Sequence, residues 1–410
     1  MSKLNELIRE STTTNANSLG RPQLLSLTRA VNNLIFSDLV AIQPTVQPVS
    51  AIYGLRYMNE DGNMTFKTPA TYGGAIGDRS KIEEVSLEKE YKLGDVFKHG
   101  DSVYKVLVAG ALGSSDLNVE SVLFKAIMMN KIRFYSDCAS PNHFEDKDAV
   151  ISETNFLFDK WQVPVGIRKL KTSFTVELMQ DLEANQMNSE NTVIDLLATV
   201  SSEEINKDII QKLITVSSRY NIDGITQNGI LSLAGLQNSP AQGRELYRYV
   251  CEMSAHILRM TTFSGTYVLA SSRVVGLLAS SGWMSESDNP LSEGRLHNGL
   301  EVYADVLSPF DYMIVGCKHQ IGDMESVGSL FYAPYTEADG AGAYKSVVDP
   351  GSFQNHMCIM NRYALSVNPY TTSLDQEARQ VIKGDDWAKL AGRSEMSFMM
   401  GVELPKLIIK

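Results

Sequence analysis

Adjacent like carboxylates are the first residues that could do chemistry: Glu83-Glu84, Glu203-Glu204 and Asp385-Asp386. Two acids flanking one bond can act as proton donor and acceptor when their surroundings push their pKa values apart. Acids adjacent in sequence usually form a solvated face instead. The six histidines are scattered without an HExxH, and His256 falls near the apolar face of a helical pattern, as a core or interface residue would. Cys138, Cys251, Cys317 and Cys358 lie far apart with no CxxC. That spacing implies neither a metal site nor a redox pair, and isolated cysteines in apolar settings are small core residues. Gly73-Gly74-Ala75-Ile76-Gly77 is glycine-rich but does not sit between a clear strand and a helix. Neither GxxxxGK[ST] nor GxSxG occurs. The expectation is a chain with no catalytic residue, no cofactor and no metal.

One joint suggests chemistry done to the chain, not by it. A short amphipathic piece ending in Ile8-Arg9-Glu10 abuts Ser11-Thr12-Thr13-Thr14, within a Ser/Thr/Asn-rich run that cannot pack. A protease needs extended, accessible backbone, and this joint has the look of a removable leader.

The 410 residues exceed one ordinary core, so two or three domains are expected. Hydrophobic residues at 43% and charged residues at 21% are an ordinary globular balance. No apolar run reaches membrane-spanning length. Lys3, Glu6, Arg9 and Glu10 interrupt any signal-peptide core. The expected location is the cytosol, or a particle assembled there. A net charge of -11, with both signs mixed along the chain, argues against a nucleic-acid binder.

The elements follow from periodicity. Pro22 opens a helical pattern with Leu24, Leu27, Val31 and Leu34 on one face, running to about Asp38. Pro44 and Pro48 favour an extended arm, and residues 51–58 read as a strand. Residues 96–106 read as a hairpin around His99-Gly100-Asp101, and Ser114-Ser115 as the cap of a helix carrying Val119 to Ile127. Residues 154–176 are extended, with charges on a strand whose partner should lie far upstream, and 176–184 look helical. The longest helix spans about 189–217; at ~1.5 Å per residue it is roughly 40 Å long and would brace a whole domain. A helix over 244–260, a strand over 266–270, a helix capped by Ser271-Ser272, and strands at 300–307, 312–317, 327–332, 344–348 and 357–367 follow. Residues 399–409 read as a final strand with Pro405 inside it, hence at a sheet edge. The class is α+β with a discontinuous domain.

Five blocks, in order along the chain, carry a resemblance: Asn5 to Thr14 with Gly20-Arg21-Pro22; Lys169 to Leu178 with Gln180 to Asn185; Glu204-Ile205-Asn206-Lys207-Asp208-Ile209; Phe331 to Glu337; and Arg362-Tyr363-Ala364-Leu365-Ser366 with Asn368-Pro369-Tyr370. Together they resemble the vertex, pentamer-forming capsid proteins of T-even-type tailed bacteriophages over nearly the whole chain. The hexamer-forming major capsid proteins of the same phages share a looser version, including a segment like Leu39 to Pro44, but carry a much longer leader. The resemblance implies the tailed-phage capsid shell fold: N-terminal arm, extended loop, peripheral domain with a spine helix, and axial domain, with a small β-rich insertion domain. It places a cleaved leader at 1–10, the arm and first loop strand at 11–63, and the insertion domain at 64–150. The loop's return strand and the spine helix fall at 151–219, the axial domain at 220–345 and the peripheral return at 346–410. Tyr91, Gly94, Asp95, Val96, Gly100, Val103 and Tyr104 resemble a chitin-binding module's strand-turn-strand, with Tyr91, Phe97 and Tyr104 as its own core.

The implied function is structural, at the vertices of an icosahedral head, in a virion assembled in the host cytoplasm. A prohead protease of this family cuts after Glu in [Ile/Leu]-x-Glu, which implicates Ile8, Glu10 and Ser11. Leu4-Asn5-Glu6, Ile82-Glu83-Glu84, Ile151-Ser152-Glu153 and Leu291-Ser292-Glu293 fit the motif too, so exposure must decide. Implied partners are four further copies in a homopentamer, hexamers of the major capsid protein, the protease, a scaffold core, and portal or outer decoration proteins. Sequence-specific nucleic acid and membrane are not among them. The alternatives are the hexamer-forming subunit and, more remotely, a carbohydrate-binding or enzymatic protein using the insert as its binding module.

Overall fold

The computed structural model describes residues 34–46, 49–58, 82–100, 102–112, 118–135, 155–175, 189–233, 239–321, 325–335, 344–348, 355–369 and 386–405, with isolated positions 145, 147, 177 and 180. The expected cleavage site at Ile8, Glu10 and Ser11, the helical pattern from Pro22 to Asn33, the glycine-rich run at 73–77 and most of 176–184 lie outside the described residues. The chain forms two compact units, one of residues 1–52 with 161–410 and one of residues 53–160.

In the first unit α1 (Phe36–Leu39) leads to β1 (Ala41–Ile42), and β2 (Val49–Met58) carries the chain into the second. There follow β3 (Glu90–Tyr91), β4 (Val96–His99), β5 (Ser102–Val106), β6 (Gly110–Ala111), α2 (Val119–Met128) and β7 (Ile132–Phe134). β8 (Asn155–Pro164) pairs with β2 and returns the chain. The predicted hairpin is β4 and β5, registered Phe97↔Tyr104, with Gly100 at φ +58° in the left-handed region the turn needs. Phe97 is fully buried between Tyr91 (ring centroids 4.9 Å apart) and Tyr104 (5.5 Å), under Leu123 and Ala126 of α2. The helix is capped by Asn118, whose Oδ1 accepts from the Glu120 N–H at 3.1 Å, and not by Ser114-Ser115. A side chain can cap only from the residue bordering the first turn.

The first unit continues with β9 (Gly166–Phe174), the 28-residue α3 (Ser189–Val216), β10 (Ser217–Arg219), β11 (Ile230–Ser232) and α4 (Ser239–Thr261). Then come β12 (Tyr267–Ser271), α5 (Ser272–Ser280), β13 (Met284–Ser285), β14 (Gly294–Leu296), β15 (Glu301–Asp305) and β16 (Tyr312–Gly316). β17 (Lys318–Ile321) and β18 (Glu325–Gly328) pair with each other, and β19 (Leu330–Pro334), β20 (Tyr344–Val348), β21 (Asn355–Val367), α6 (Asp386–Lys389) and β22 (Ser394–Glu403) complete it.

An eight-stranded sheet is the centre of this unit, in the order β10-β22-β16-β12-β15-β14-β13, with β11 also on β22. Its central strands β12 and β16 are apolar on both faces because both faces are covered. Along β12, Val268 and Ala270 join the core under α4 and α5, while Tyr267 and Leu269 join the core under α3 and α1. β16 alternates the same way, Met313 and Val315 against Tyr312 and Ile314. This is the period of two expressed in a fully buried strand. Gly316 lies opposite Tyr267, where a Cβ would stand 2.2 Å from the phenol oxygen, so only glycine fits. A second sheet holds β1-β19-β21-β20, with β9 also on β21.

Two expectations are corrected here. The last strand is not at an edge: β22 ends at Glu403, before Pro405, and is flanked by β16 on one side and β10 and β11 on the other. The proline follows the strand and therefore removes no ladder donor. The partner of β9 lies far downstream, not upstream: Gly166 to Phe174 pair antiparallel with Tyr363 to Asn355. It is β8 that finds an upstream partner, in β2.

Candidate functional site

No constellation of reacting groups gathers among the described residues, and no group of His, Cys, Asp and Glu there could hold a metal. The residues flagged for chemistry are dispersed into structure. Glu83 bonds Lys89, and Glu84 stands 3.6 Å from His99 Nδ1, both carboxylates exposed. His256 lies edge-on to Phe398, ring centroids 4.8 Å apart, and burial together with Arg259 holds its pKa below the usual histidine value. Cys317 is buried, and burial pushes its thiol up to about 12; Cys251 and Cys358 are free and half-buried. Asp386 opens α6; Asp385 and Cys138 lie outside the described residues.

What the sequence does assemble is a clamp on the long helix. α3 spans both sheets: Leu197 packs on Met357 and Ile359 of β21, while Ile205, Ile209, Leu213 and Val216 pack beneath the eight-stranded sheet. Between these contacts β9 brings in Arg168. Its Nη1 donates to Glu204 Oε1 at 2.6 Å, its Nη2 lies 3.0 Å from Asp208 Oδ2, and its Nε donates to the Tyr363 hydroxyl at 2.6 Å. The same hydroxyl donates to Asp208 at 2.8 Å. One guanidinium thus ties β9, β21 and two successive turns of α3, a fork geometry that lysine cannot reproduce. Burial pushes the Tyr363 phenol up, and Asp208 adds to the shift; Arg168 is held above its usual value by Tyr363, Asp208 and Glu204 against the pull of burial. One turn earlier, Asn361 Nδ2 donates to Ser201 Oγ at 2.6 Å. Sequence reading missed this cluster: its members come from three distant segments, and the only local signal was charge on an extended stretch.

On the other flank of α3 a groove of about 460 Å³ opens toward the β15–β16 loop. Ile210 and Ile214 of α3 line it together with Val306, Leu307 and Phe310 of the loop, and Ile35 and Leu291 also contribute. The loop is stapled in place. Asp305 accepts from the Leu307 N–H at 3.1 Å and from the Tyr312 hydroxyl at 2.7 Å, and Ser308 Oγ donates to the Phe310 carbonyl at 2.6 Å. Val306, Leu307 and Phe310 are nonetheless 64%, 46% and 48% exposed. Burial and the adjacent Asp305 carboxylate push the Tyr312 phenol far up.

Two internal copies of the cleavage motif, Ile82-Glu83-Glu84 and Leu291-Ser292-Glu293, lie in described backbone, and Ile151-Ser152-Glu153 lies outside the described residues. At Ile82-Glu83-Glu84 the Glu83 carbonyl accepts from Lys98 and Glu84 bridges to Lys98. At Leu291-Ser292-Glu293 the Glu293 N–H donates to the Val302 carbonyl at 2.8 Å, and Ser292 Oγ bonds the Gly294 carbonyl. Backbone tied in this way cannot lie extended in a protease cleft.

A family model described as Major capsid protein Gp23 matches residues 17–402. The chain is similar to the capsid vertex protein of Enterobacteria phage T4, at 49% identity, and to that of Escherichia phage AR1, at 50%, with 100% of each chain covered in both cases. Similarity to the major capsid protein of Enterobacteria phage T4 is lower, 24% identity over 85% of this chain and 75% of that one.

Proposed function

This chain belongs to the Gp23 family of major capsid proteins, and from that premise we propose how it serves a phage head. It is a structural capsid protein of the vertex kind. The observation that carries this is the 49–50% identity along the whole chain to capsid vertex proteins, against 24% to a major capsid protein. The hexamer-forming alternative is thereby disfavoured. Its α+β fold is the shell fold expected of these proteins, and its place is the virion.

In this reading five copies meet head to tail, and the ring closes because each contact turns the next copy by one fifth of a rotation. Residues 220–345 form the axial domain that sets this angle, and α3 is the spine of the peripheral domain. Residues 64–150 form the insertion domain, which clamps a neighbouring subunit; the separate compactness of residues 53–160 supports an inserted module. The ring seats among hexamers of the major capsid protein during assembly in the host cytoplasm. The leader, residues 1–10, holds the precursor to the scaffold core until the prohead protease cuts between Glu10 and Ser11. Portal and decoration proteins are further contacts. The chain performs no catalysis. The aromatic residues a sugar would stack on, Tyr91, Phe97 and Tyr104, are spent in the core of their own unit, which weighs against a glycan-binding role.

Immunogold labelling of mature heads tests the vertex role: gold confined to corners is expected, and gold spread over the faces would overturn it. N-terminal sequencing of the same particles should read Ser-Thr-Thr-Thr; an intact Met1 or Ser2 refutes the cleavage. Deleting residues 2–10 should abolish normal prohead yield, and an unchanged yield removes the scaffold role.

A further inference from the structure

We propose that the cationic outer face of β9 and β21 docks the acidic β13–β14 loop of a second copy of this chain, an inference that rests on the shell reading above. Even-numbered residues of β9 turn toward α3: Arg168 reaches Glu204, and Leu170 packs with Leu197. The alternation of a strand sends Lys169 and Lys171 to the opposite face, where both are exposed and neither has an ion-pair partner among the described residues. Directly opposite residues of an antiparallel pair share a face. Arg362, Met360, Cys358 and His356 of β21 therefore join them, registered to Ile167, Lys169, Lys171 and Ser173, and no acid stands among these eight positions. Trp161 and Val163 cover the face beside Ala364, but the rows beyond are open: Ile167 is 54% exposed, and so is Val347, opposite His356, at 53%. Arg362 Nε and His356 Nδ1 are buried there with no hydrogen-bond partner among the described residues. Buried nitrogens without a partner are costly until one arrives, and exposed lysines beside them select an anionic one.

Charge identifies the occupant. The chain carries 48 acids against 37 bases, so neighbouring copies repel unless a local patch reverses the sign. On the β13–β14 loop Glu286 and Asp288 are exposed and have no ion-pair partner among the described residues. Ser287 between them is turned inward, its Oγ donating to Glu301 Oε2 at 2.5 Å. The two carboxylates thus stand two residues apart, as do the two lysines, which are ~7 Å apart along β9. Asn289 anchors the loop by donating from Nδ2 to Asp38 Oδ2 at 2.9 Å. Beyond it, Leu291 and Glu293 line the groove on the far flank of α3, whereas the cationic face belongs to the clamp side and has its back to the helix. The contact is therefore made between copies. It joins two different patches, a heterologous contact of the kind that closes a ring.

The test uses the protein as it stands in isolated heads. A water-soluble carbodiimide joins a lysine amine to a carboxylate where the two touch. Peptides linking Lys169 or Lys171 to Glu286 or Asp288 are expected, in a band of twice the chain mass. Links from these lysines to a different protein, or none at all, would overturn the proposal. Charge reversal supplies the second arm. Lys169→Glu with Lys171→Glu, and separately Glu286→Lys with Asp288→Lys, should each lower the number of copies per head about tenfold, since attraction becomes repulsion. The four substitutions together should restore it, which two misfolded variants could not do. No loss from either pair, or a loss that the combination leaves unrestored, would overturn the contact. Gold labelling at the corners without the cross-links would overturn the contact and leave the vertex reading standing; gold away from the corners would overturn that reading and this contact with it.

Discussion

Replacing Arg168 with alanine should cost the protein about 2 kcal/mol, and the figure can be built from the geometry. The Glu204 contact at 2.6 Å involves a carboxylate whose side chain is 53% exposed, so it contributes no more than about 0.5 kcal/mol. The Asp208 contact at 3.0 Å is better shielded, with Asp208 21% and Arg168 32% exposed, and is worth roughly 1 kcal/mol. The bond from Nε to the Tyr363 hydroxyl adds about 0.5–1 kcal/mol. The loss stops there because Asp208 keeps its bond from Tyr363 and is not left unpaired. The expected order is Arg168→Ala, then Asp208→Ala, then Glu204→Ala near the limit of detection. Arg168→Lys should recover less than half, since an ammonium cannot serve three acceptors in one plane. Urea unfolding of the single variants and of the Arg168–Asp208 double variant measures this, with a coupling energy of about 1 kcal/mol expected. Additivity of the two substitutions, or a Glu204→Ala loss equal to that of Arg168→Ala, would refute the assignment of Asp208 as the principal partner.

Three further outcomes follow from the same geometry. Gly316→Ala forces a methyl to within 2.2 Å of the Tyr267 hydroxyl, in a core where Tyr267 is buried, and should destabilise by about 3 kcal/mol or leave the protein insoluble, read by thermal melting and soluble yield. Phe97→Ala removes the centre of a small core and should cost about 3–5 kcal/mol, exposing residues 53–160 to protease; Trp161, Trp283 and Trp387 all lie in the other unit, so tryptophan fluorescence is the control. From pH 8 upward, stability should hold to about pH 9 and fall above it. Burial raises the Cys317 thiol from 9.0 to about 12, and burial with Glu245 raises the Tyr249 phenol from 10.0 to about 12. The unfolded chain then releases protons the fold retains, and stability is lost as pH climbs between those limits. Cys317→Ala should make the decline shallower, measured as urea midpoints from pH 8 to 11.

The long helix was legible because its apolar residues recur at steps of three, four and seven with no proline or glycine between them; a span of about 189–217 read from the sequence is Ser189–Val216 in the structure. The strands at the centre of the large sheet were legible for a different reason. Two-sided burial makes them short continuous apolar runs, and β12 and β16 show no exposed position. Errors arose where the answer depended on a distant partner. Nothing local in Gly166 to Phe174 says which strand lies beside it. Pro405 looked like an edge marker because the strand was drawn too long. β17 went unread because Lys318-His319-Gln320 is polar, and the end of β18 was merged with β19 in the single strand read over 327–332. The groove was invisible for the same reason as the clamp: Ile210 and Phe310 are a hundred residues apart, and only the folded sheet brings their elements together.

Four of the five blocks that carried the family resemblance have described residues that meet in space, and this gives the resemblance a physical content. Glu204 and Asp208 belong to one block and Tyr363 to another, while Arg168 directly precedes a third, and these four residues are the clamp. Phe331 to Pro334, from a fourth block, form β19, which pairs with the strand bearing Tyr363. A core alone would tolerate many volume-conserving exchanges of its apolar residues, since apolar packing is non-directional. A planar guanidinium serving three acceptors is directional and admits one arrangement of β9, β21 and α3. In a protein whose task is to present fixed edges to its neighbours, the angle at which strands leave a long helix is part of the function. The residues that hold that angle are therefore the ones by which such a chain can be recognised, even though none of them touches a substrate.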